Sequence, residues 1–213
     1  MHKFAIPTNP YEKGKYGKVY LKSEIEIRSG VTILVGCNGS GKTTFLNLIE
    51  GALKKEPDIA VLTYDNLHDG GATAREDVAH RNDFNMLATM LQSSEGEQIV
   101  MNLGTVARKI GSFVHKYKSS SKEIWILLDA IDSGLSADNI ESIKTALFAA
   151  ILRDFEQLDS CDIYILVSAN SYEFCRNSNC FDVRKGEYIQ FADYEDYRKF
   201  IFQSAEDKDK RYS

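Results

Sequence analysis

The sequence has no run of apolar residues long enough to cross a bilayer. Its longest, at residues 124–128 and 163–167, fall far short of the ~20 residues that a spanning helix needs, so the chain is expected not to span a membrane by itself. The first residues, Met1-His2-Lys3-Phe4-Ala5-Ile6-Pro7, lack the apolar stretch of about 7 to 15 residues and the small-residue cleavage site of a secretory leader, which points to the cytoplasm. Paired cysteines are missing too. Cys37, Cys161, Cys175 and Cys180 form no C-x-x-C, and His2, His68, His80 and His115 show no ligand spacing, which argues against a disulfide framework or a metal cage. An excess of positive charge is also lacking. With 26 Lys plus Arg against 31 Asp plus Glu, the net charge of −5 has the wrong sign for a chain that coats nucleic acid electrostatically. Internal repeats, low-complexity tracts and linkers are absent as well.

What remains is an ordinary globular composition, 43% hydrophobic and 27% charged over 213 residues, which is enough chain to bury a core. Short apolar, β-branched runs at residues 31–35, 59–64, 124–128 and 163–167 read as strands buried on both faces. Helical spacing occupies residues 43–54, 84–91, 97–117 and 137–158, the last with one stripe of Ile140, Ile143, Leu147, Ile151, Phe155 and Leu158. Strands alternating with helices predict an α/β fold with a mainly parallel sheet. Residues 18–27 alternate apolar Val19, Leu21 and Ile25 with polar Lys22 and Glu24, which predicts an antiparallel strand with one wet face. Residues 181–183 and 188–191 flank a turn at Gly186 and read as a hairpin closing a sheet edge. Tyr194, Tyr197, Phe200 and Ile201 have helical spacing, and the charged residues 205–213 are expected to fray. The whole is read as one domain, 1–213, with an antiparallel β portion at 1–30, a helical portion at 66–117 and a terminal helix and tail at 193–213.

One motif carries the chemistry. Gly36-Cys37-Asn38-Gly39-Ser40-Gly41-Lys42-Thr43 fits G-x-x-x-x-G-K-[ST] and stands where such a loop must, between the strand at 31–35 and a helix. Its glycines let backbone N–H groups converge on phosphate oxygens, and the helix that follows aims its positive dipole end at the same point. Asn38, Gly39, Ser40, Gly41, Lys42, Thr43 and Thr44 are the expected contacts to ATP, with Lys42 neutralising the β- and γ-phosphates and the Thr43 hydroxyl on Mg²⁺. A second strand, Ile124-Trp125-Ile126-Leu127-Leu128-Asp129, ends in the carboxylate such a site requires. Asp129 is expected to hold Mg²⁺ through a water.

In order and wording the sequence resembles the ABC ATPase superfamily, especially the heads of the chromosome-maintenance and recombination-repair group, over roughly residues 18–191. Asn38 within the phosphate loop matches that group. Ser93-Ser94-Glu95-Gly96-Glu97 lies where the family places its signature, usually written LSGGQ or LSxGE, and Asp132-Ser133-Gly134-Leu135-Ser136 follows Asp129 as the family's D-loop does. Ser94 and Glu97 also form S-x-x-E, a capping box that starts any helix. The resemblance implies that Ser94 and Gly96 meet the γ-phosphate held by an opposite subunit, and hence an ATP-sandwiched two-fold homodimer. Only about fifty residues separate Lys42 from Ser93, without heptads, so a coiled-coil arm is absent; no glutamine follows the strand at 59–64, which counts against a transporter subunit.

Two departures alter what the resemblance implies. The residue after Asp129 is Ala130, where active family members usually carry the Glu that polarises water. Losing a positioned base costs ~10² to 10⁴ in rate, so tight binding with slow hydrolysis is expected. Asp132 either substitutes for the base or caps the helix through Ala137. Near Asn170 the family has a switch histidine; an amide can still bond a γ-phosphate oxygen but takes no charge, and Asn170 equally reads as a loop cap before Ser171. Tyr11, Tyr16 and Tyr20 are candidates to stack on the base or simply to pack. With Lys13, Lys15, Lys18 and Lys22 they form a basic aromatic patch to weigh for nucleic acid, and Arg75 is a candidate phosphate sensor. The leading expectation is an ATPase head coupling nucleotide state to an unidentified protein partner. A non-hydrolysing switch is the alternative, and the ATP subunit of a transporter stands behind it.

Overall fold

The computed structural model describes residues 1–11, 17–65, 95–156 and 161–211. In chain order the strands are β1 (His2–Ala5), β2 (Glu24–Ile27), β3 (Gly30–Val35), β4 (Ile59–Asp65), β5 (Glu123–Asp129), β6 (Asp162–Ser168), β7 (Cys180–Asp182) and β8 (Glu187–Ile189). The helices are α1 (Lys42–Leu53), α2 (Glu95–Tyr117), α3 (Ala137–Ser142), α4 (Ala149–Glu156), α5 (Tyr172–Cys175) and α6 (Tyr194–Asp209), with a π-helical segment at Ile143–Phe148 joining α3 to α4. β1 and β2 form an antiparallel pair, and the other strands form one sheet in the order β4-β5-β6-β3-β7-β8. Every pairing in that sheet is parallel except β7 with β8. The α/β expectation with a mainly parallel sheet and an antiparallel amino-terminal portion holds.

Burial on both faces explains why the strands are continuous apolar runs. Along β5, Ile124, Ile126 and Leu128 enter the core on the side of α2, α3 and α4, while Trp125 and Leu127 enter the α1 side with Phe45, Ile49 and Leu53. On that second side the Trp125 ring stacks on Tyr164 at 4.0 Å, and Phe4 of β1 meets it edge-on at 5.3 Å. The small antiparallel sheet is thereby held against the α1 face of the large one.

Three expectations need correction. Within residues 18–27 only Glu24–Ile27 is strand. Val19 and Tyr20, adjacent in sequence, are both buried, and both their N–H groups donate to the Thr8 carbonyl, a geometry no alternating strand offers. The helical stripe from 137 is not one α-helix, because the π segment inserts a wider turn. The tail does not fray at 205: α6 runs to Asp209, for reasons found in its contacts. The helix expected at 84–91 lies outside the described residues, as does Leu158.

The order of strands decides where chemistry can sit. β6 lies between β3 and β5, so the carboxyl ends of β3, β6, β5 and β4 open along one edge, the usual place for ligands in such sheets. That edge gathers the phosphate loop after β3, Ser168 at the end of β6, Asp129 at the end of β5, and Asp65, which stands opposite Asp129 in the β4–β5 register.

Candidate functional site

The phosphate loop leaves β3 through Gly36, whose φ of 149° and closeness to Ser40 exclude a side chain: a Cβ there would lie 2.5 Å from the Ser40 Oγ. It enters α1 through Gly41, left-handed at φ 104°, where a Cβ would meet Val19 at 2.9 Å. No side chain caps α1, and its first helical bond runs from the Phe45 N–H to the Gly41 carbonyl. The N–H groups of Lys42, Thr43 and Thr44 therefore precede the intrahelical ladder, at the positive end of the helix dipole. Ser40 is buried, and its Oγ has no hydrogen-bond partner among the described residues.

Lys42 is buried within the loop, where its ammonium donates to the carbonyls of Gly36 at 2.7 Å and Cys37 at 3.2 Å. Burial lowers its pKa, and the Asp132 and Asp129 carboxylates act in the opposite direction. Tyr20, 1% exposed, donates its hydroxyl to the Gly41 carbonyl at 2.8 Å and packs edge-on against Phe45. It is a wall of the loop rather than part of an exposed patch. Tyr11 is half exposed and shares a hydrogen bond of 2.9 Å with the Thr44 hydroxyl.

The carboxylate side of the edge is held by a residue the sequence reading left without a role. Ser168 donates its hydroxyl to Asp129 and accepts the Ala130 N–H at 3.0 Å, so one side chain fixes both the carboxylate and the peptide behind it. Ala130 has φ 51°, a left-handed conformation that costs a residue with a Cβ on the order of 1 kcal/mol and that marks sites of function when it persists. Thr43, Asp65 and Asp129 line one cavity of about 340 Å³ beside α1.

Asp132 does not cap the helix at Ala137. That helix has Ser136 as its N-cap with no side-chain cap bond, whereas Asp132 Oδ2 accepts the N–H groups of Asn170 at 2.6 Å and Ser171 at 2.7 Å, crossing from one loop to the next. Nor is Asn170 the loop cap. Ser171 caps α5 by accepting the Glu173 N–H, and Asn170 instead uses its backbone, its carbonyl accepting the Tyr197 hydroxyl.

The expected signature is only partly in view. α2 begins at Glu95, one residue after Ser94, and its first turn contains Gly96. Ser93 and Ser94 lie outside the described residues, together with Lys13, Lys15, Tyr16 and Arg75. All four cysteines are buried and free.

Another group escaped the sequence reading altogether. Ser204 accepts the Cys37 N–H at 3.0 Å, Lys208 donates to the Asn38 carbonyl at 3.4 Å, and Arg211 donates to the Gly39 carbonyl at 3.2 Å, so α6 and the turn after it lie along the phosphate loop. Their spacing of four and three residues puts them on one helix face. That spacing was legible, but nothing in the sequence says which surface the face meets.

A family model described as an AAA domain matches residues 15–210. No curated protein matches the chain. Among the described residues no helix is long and apolar enough to cross a membrane.

Proposed function

The chain belongs to the AAA domain family, an ATPase superfamily, and from that premise we propose that it is a compact ABC-type head that binds ATP with Mg²⁺, hydrolyses it slowly, and closes as a homodimer around two nucleotides to signal to a protein partner. The observation that carries the reading is the loop itself: an uncapped α1 with N–H groups ahead of its first bond, Lys42 folded inside, and Thr43 and Asp129 on one cavity wall. The buried Ser40 hydroxyl adds a polar atom without a protein partner beside the same N–H groups. These residues fit a triphosphate. The Thr43 hydroxyl and Asp129 carboxylate are hard oxygen donors of the kind Mg²⁺ takes, and the metal would supply charge neutralisation at the β- and γ-phosphates.

A non-hydrolysing switch is the second reading, favoured by two observations. Ala130 offers no proton acceptor, and Asp132 is committed to two backbone N–H groups on the next loop, away from the role of substitute base. In that case ATP would act by mass action, stabilising the closed form.

Sizing of the full chain with ATP and Mg²⁺, with ADP, and without nucleotide tests the assembly. A dimer in ATP alone is the expected result. A monomer under all three conditions overturns the dimeric reading, and titration calorimetry showing no ATP binding, or equal binding by Lys42→Met, overturns the nucleotide reading.

A further inference from the structure

We propose that the carboxy-terminal helix is part of the nucleotide site, with Lys208 and Arg211 acting as positioning residues that set the peptides of the phosphate loop for an anion. This rests on the nucleotide reading above and deepens it.

The argument follows from the trans peptide, in which the C=O and the following N–H point in opposite directions. Ser204 draws the Cys37 N–H toward α6, and the Gly36 carbonyl of that peptide is turned the other way, onto the Lys42 ammonium. Lys208 draws the Asn38 carbonyl toward α6, which turns the Gly39 N–H to the opposite side. Arg211 holds the Gly39 carbonyl, turning the Ser40 N–H inward, where it donates to the Cys37 carbonyl at 3.1 Å. Three contacts from α6 and the turn after it therefore fix the orientations of three of the loop's peptides, 36–37, 38–39 and 39–40. A loop set this way loses less freedom when it closes on a ligand. A cation at a carbonyl oxygen also polarises the peptide, making the N–H at its other end a stronger donor. Arg211 is anchored in turn. Its backbone carbonyl accepts the Gly17 N–H at 3.3 Å, and its Nε donates to the Lys208 carbonyl, so the helix end, the amino-terminal segment and the loop meet at one side chain. These contacts are also why α6 persists into a charged tail: Gln203 to Asp207 at 3.1 Å and Lys210 to Asp207 at 3.5 Å support the last turns, and the loop holds the far side.

The test measures ATP–Mg²⁺ affinity of the full chain by calorimetry across a salt series. Variants are Lys208→Gln, Arg211→Gln, the double, and Arg211→Lys, with Lys42→Met as the control for the nucleotide reading. The expected result is a loss on the order of tenfold or more in the double variant, partial recovery in Arg211→Lys, and a smaller thermal shift on adding ATP. Lys208→Gln, which alters a contact at the loop's outer surface, guards against misfolding of the double, and a several-fold loss is expected from it alone. Wild-type affinity in the glutamine variants overturns the proposal while leaving the nucleotide reading intact. Higher affinity overturns it too, because the helix would then obstruct the loop. Failure of the wild-type chain to bind ATP, or equal binding by Lys42→Met, removes both.

Discussion

Along the sheet edge the two walls facing the cavity differ in how their polar groups are committed. On the α1 side, carbonyls of the phosphate loop are met by Lys42, Lys208, Arg211 and Tyr20, all donors, while the Gly39 N–H is turned away from α6 and those of Lys42, Thr43 and Thr44 precede the helical ladder. On the β5–β6 side the carboxylates are tied to the protein by one oxygen each: Asp129 takes the Ser168 hydroxyl, Asp132 takes two backbone N–H groups, and Ala130 sits in a strained backbone with no acceptor on its side chain. The first wall is suited to holding an anion. The second is suited to holding its own shape. The proposed function therefore assigns the grip on a nucleotide and its cleavage to different residues.

The comparison breaks most visibly at position 130. Ala130→Glu places a proton acceptor beside Asp129, at a position whose side chain has none, and the expected gain in single-turnover hydrolysis is ~10² to 10⁴, with ATP affinity changed little. An unchanged rate would mean that the cleavage wall is deficient in geometry rather than in a base, and would favour the switch reading. Next comes Ser168→Ala. Removing the hydroxyl that orients Asp129 is expected to weaken Mg²⁺ affinity by about 10- to 100-fold, and losing the acceptor for the Ala130 N–H costs about 1–3 kcal/mol. Magnesium titration of nucleotide binding and thermal melting read the two effects separately. A melting loss without a change in Mg²⁺ affinity would confine Ser168 to a structural role.

The sheet was legible because its strands are buried on both faces. Runs such as Ile163 to Val167 can satisfy that burial only as central parallel strands, and the hairpin at Gly186 was marked by the residue that its φ of 65° requires. The phosphate loop was legible because its function dictates local residues at fixed spacing. What escaped was held by contacts distant in sequence. Ser168 acts on Asp129 and Ala130 from a neighbouring strand, and its hydroxyl looks like any strand-end serine until β6 is found between β3 and β5. Asp132 had the helix through Ala137 within reach and bonded instead to a loop nearly forty residues on. The tail read as frayed because Ser204, Lys208 and Arg211 carry no apolar stripe; what they bind is a set of backbone carbonyls and N–H groups, which leave no trace in composition.

The smallest expected effect bears on whether the second wall is strained at all. Ala130 at φ 51° lies where a Cβ crowds the backbone, at a cost of roughly 1–2 kcal/mol relative to glycine. Ala130→Gly removes that cost but gives the unfolded chain more freedom to lose, an offset of about 0.4–1 kcal/mol. The difference leaves a net gain of ~0.8 kcal/mol, and at ~2–4 °C per kcal/mol for a chain of this size the melting temperature should rise by about 2–3 °C. The reverse sign is the informative one. A fall would mean that the Ser168 and Ser133 bonds to the N–H and carbonyl of this residue already relieve the backbone, so that the left-handed turn is a relaxed joint. A rise would mean that the chain keeps alanine there against its own stability, as expected if position 130 is held for what it does beside Asp129 rather than for how it folds.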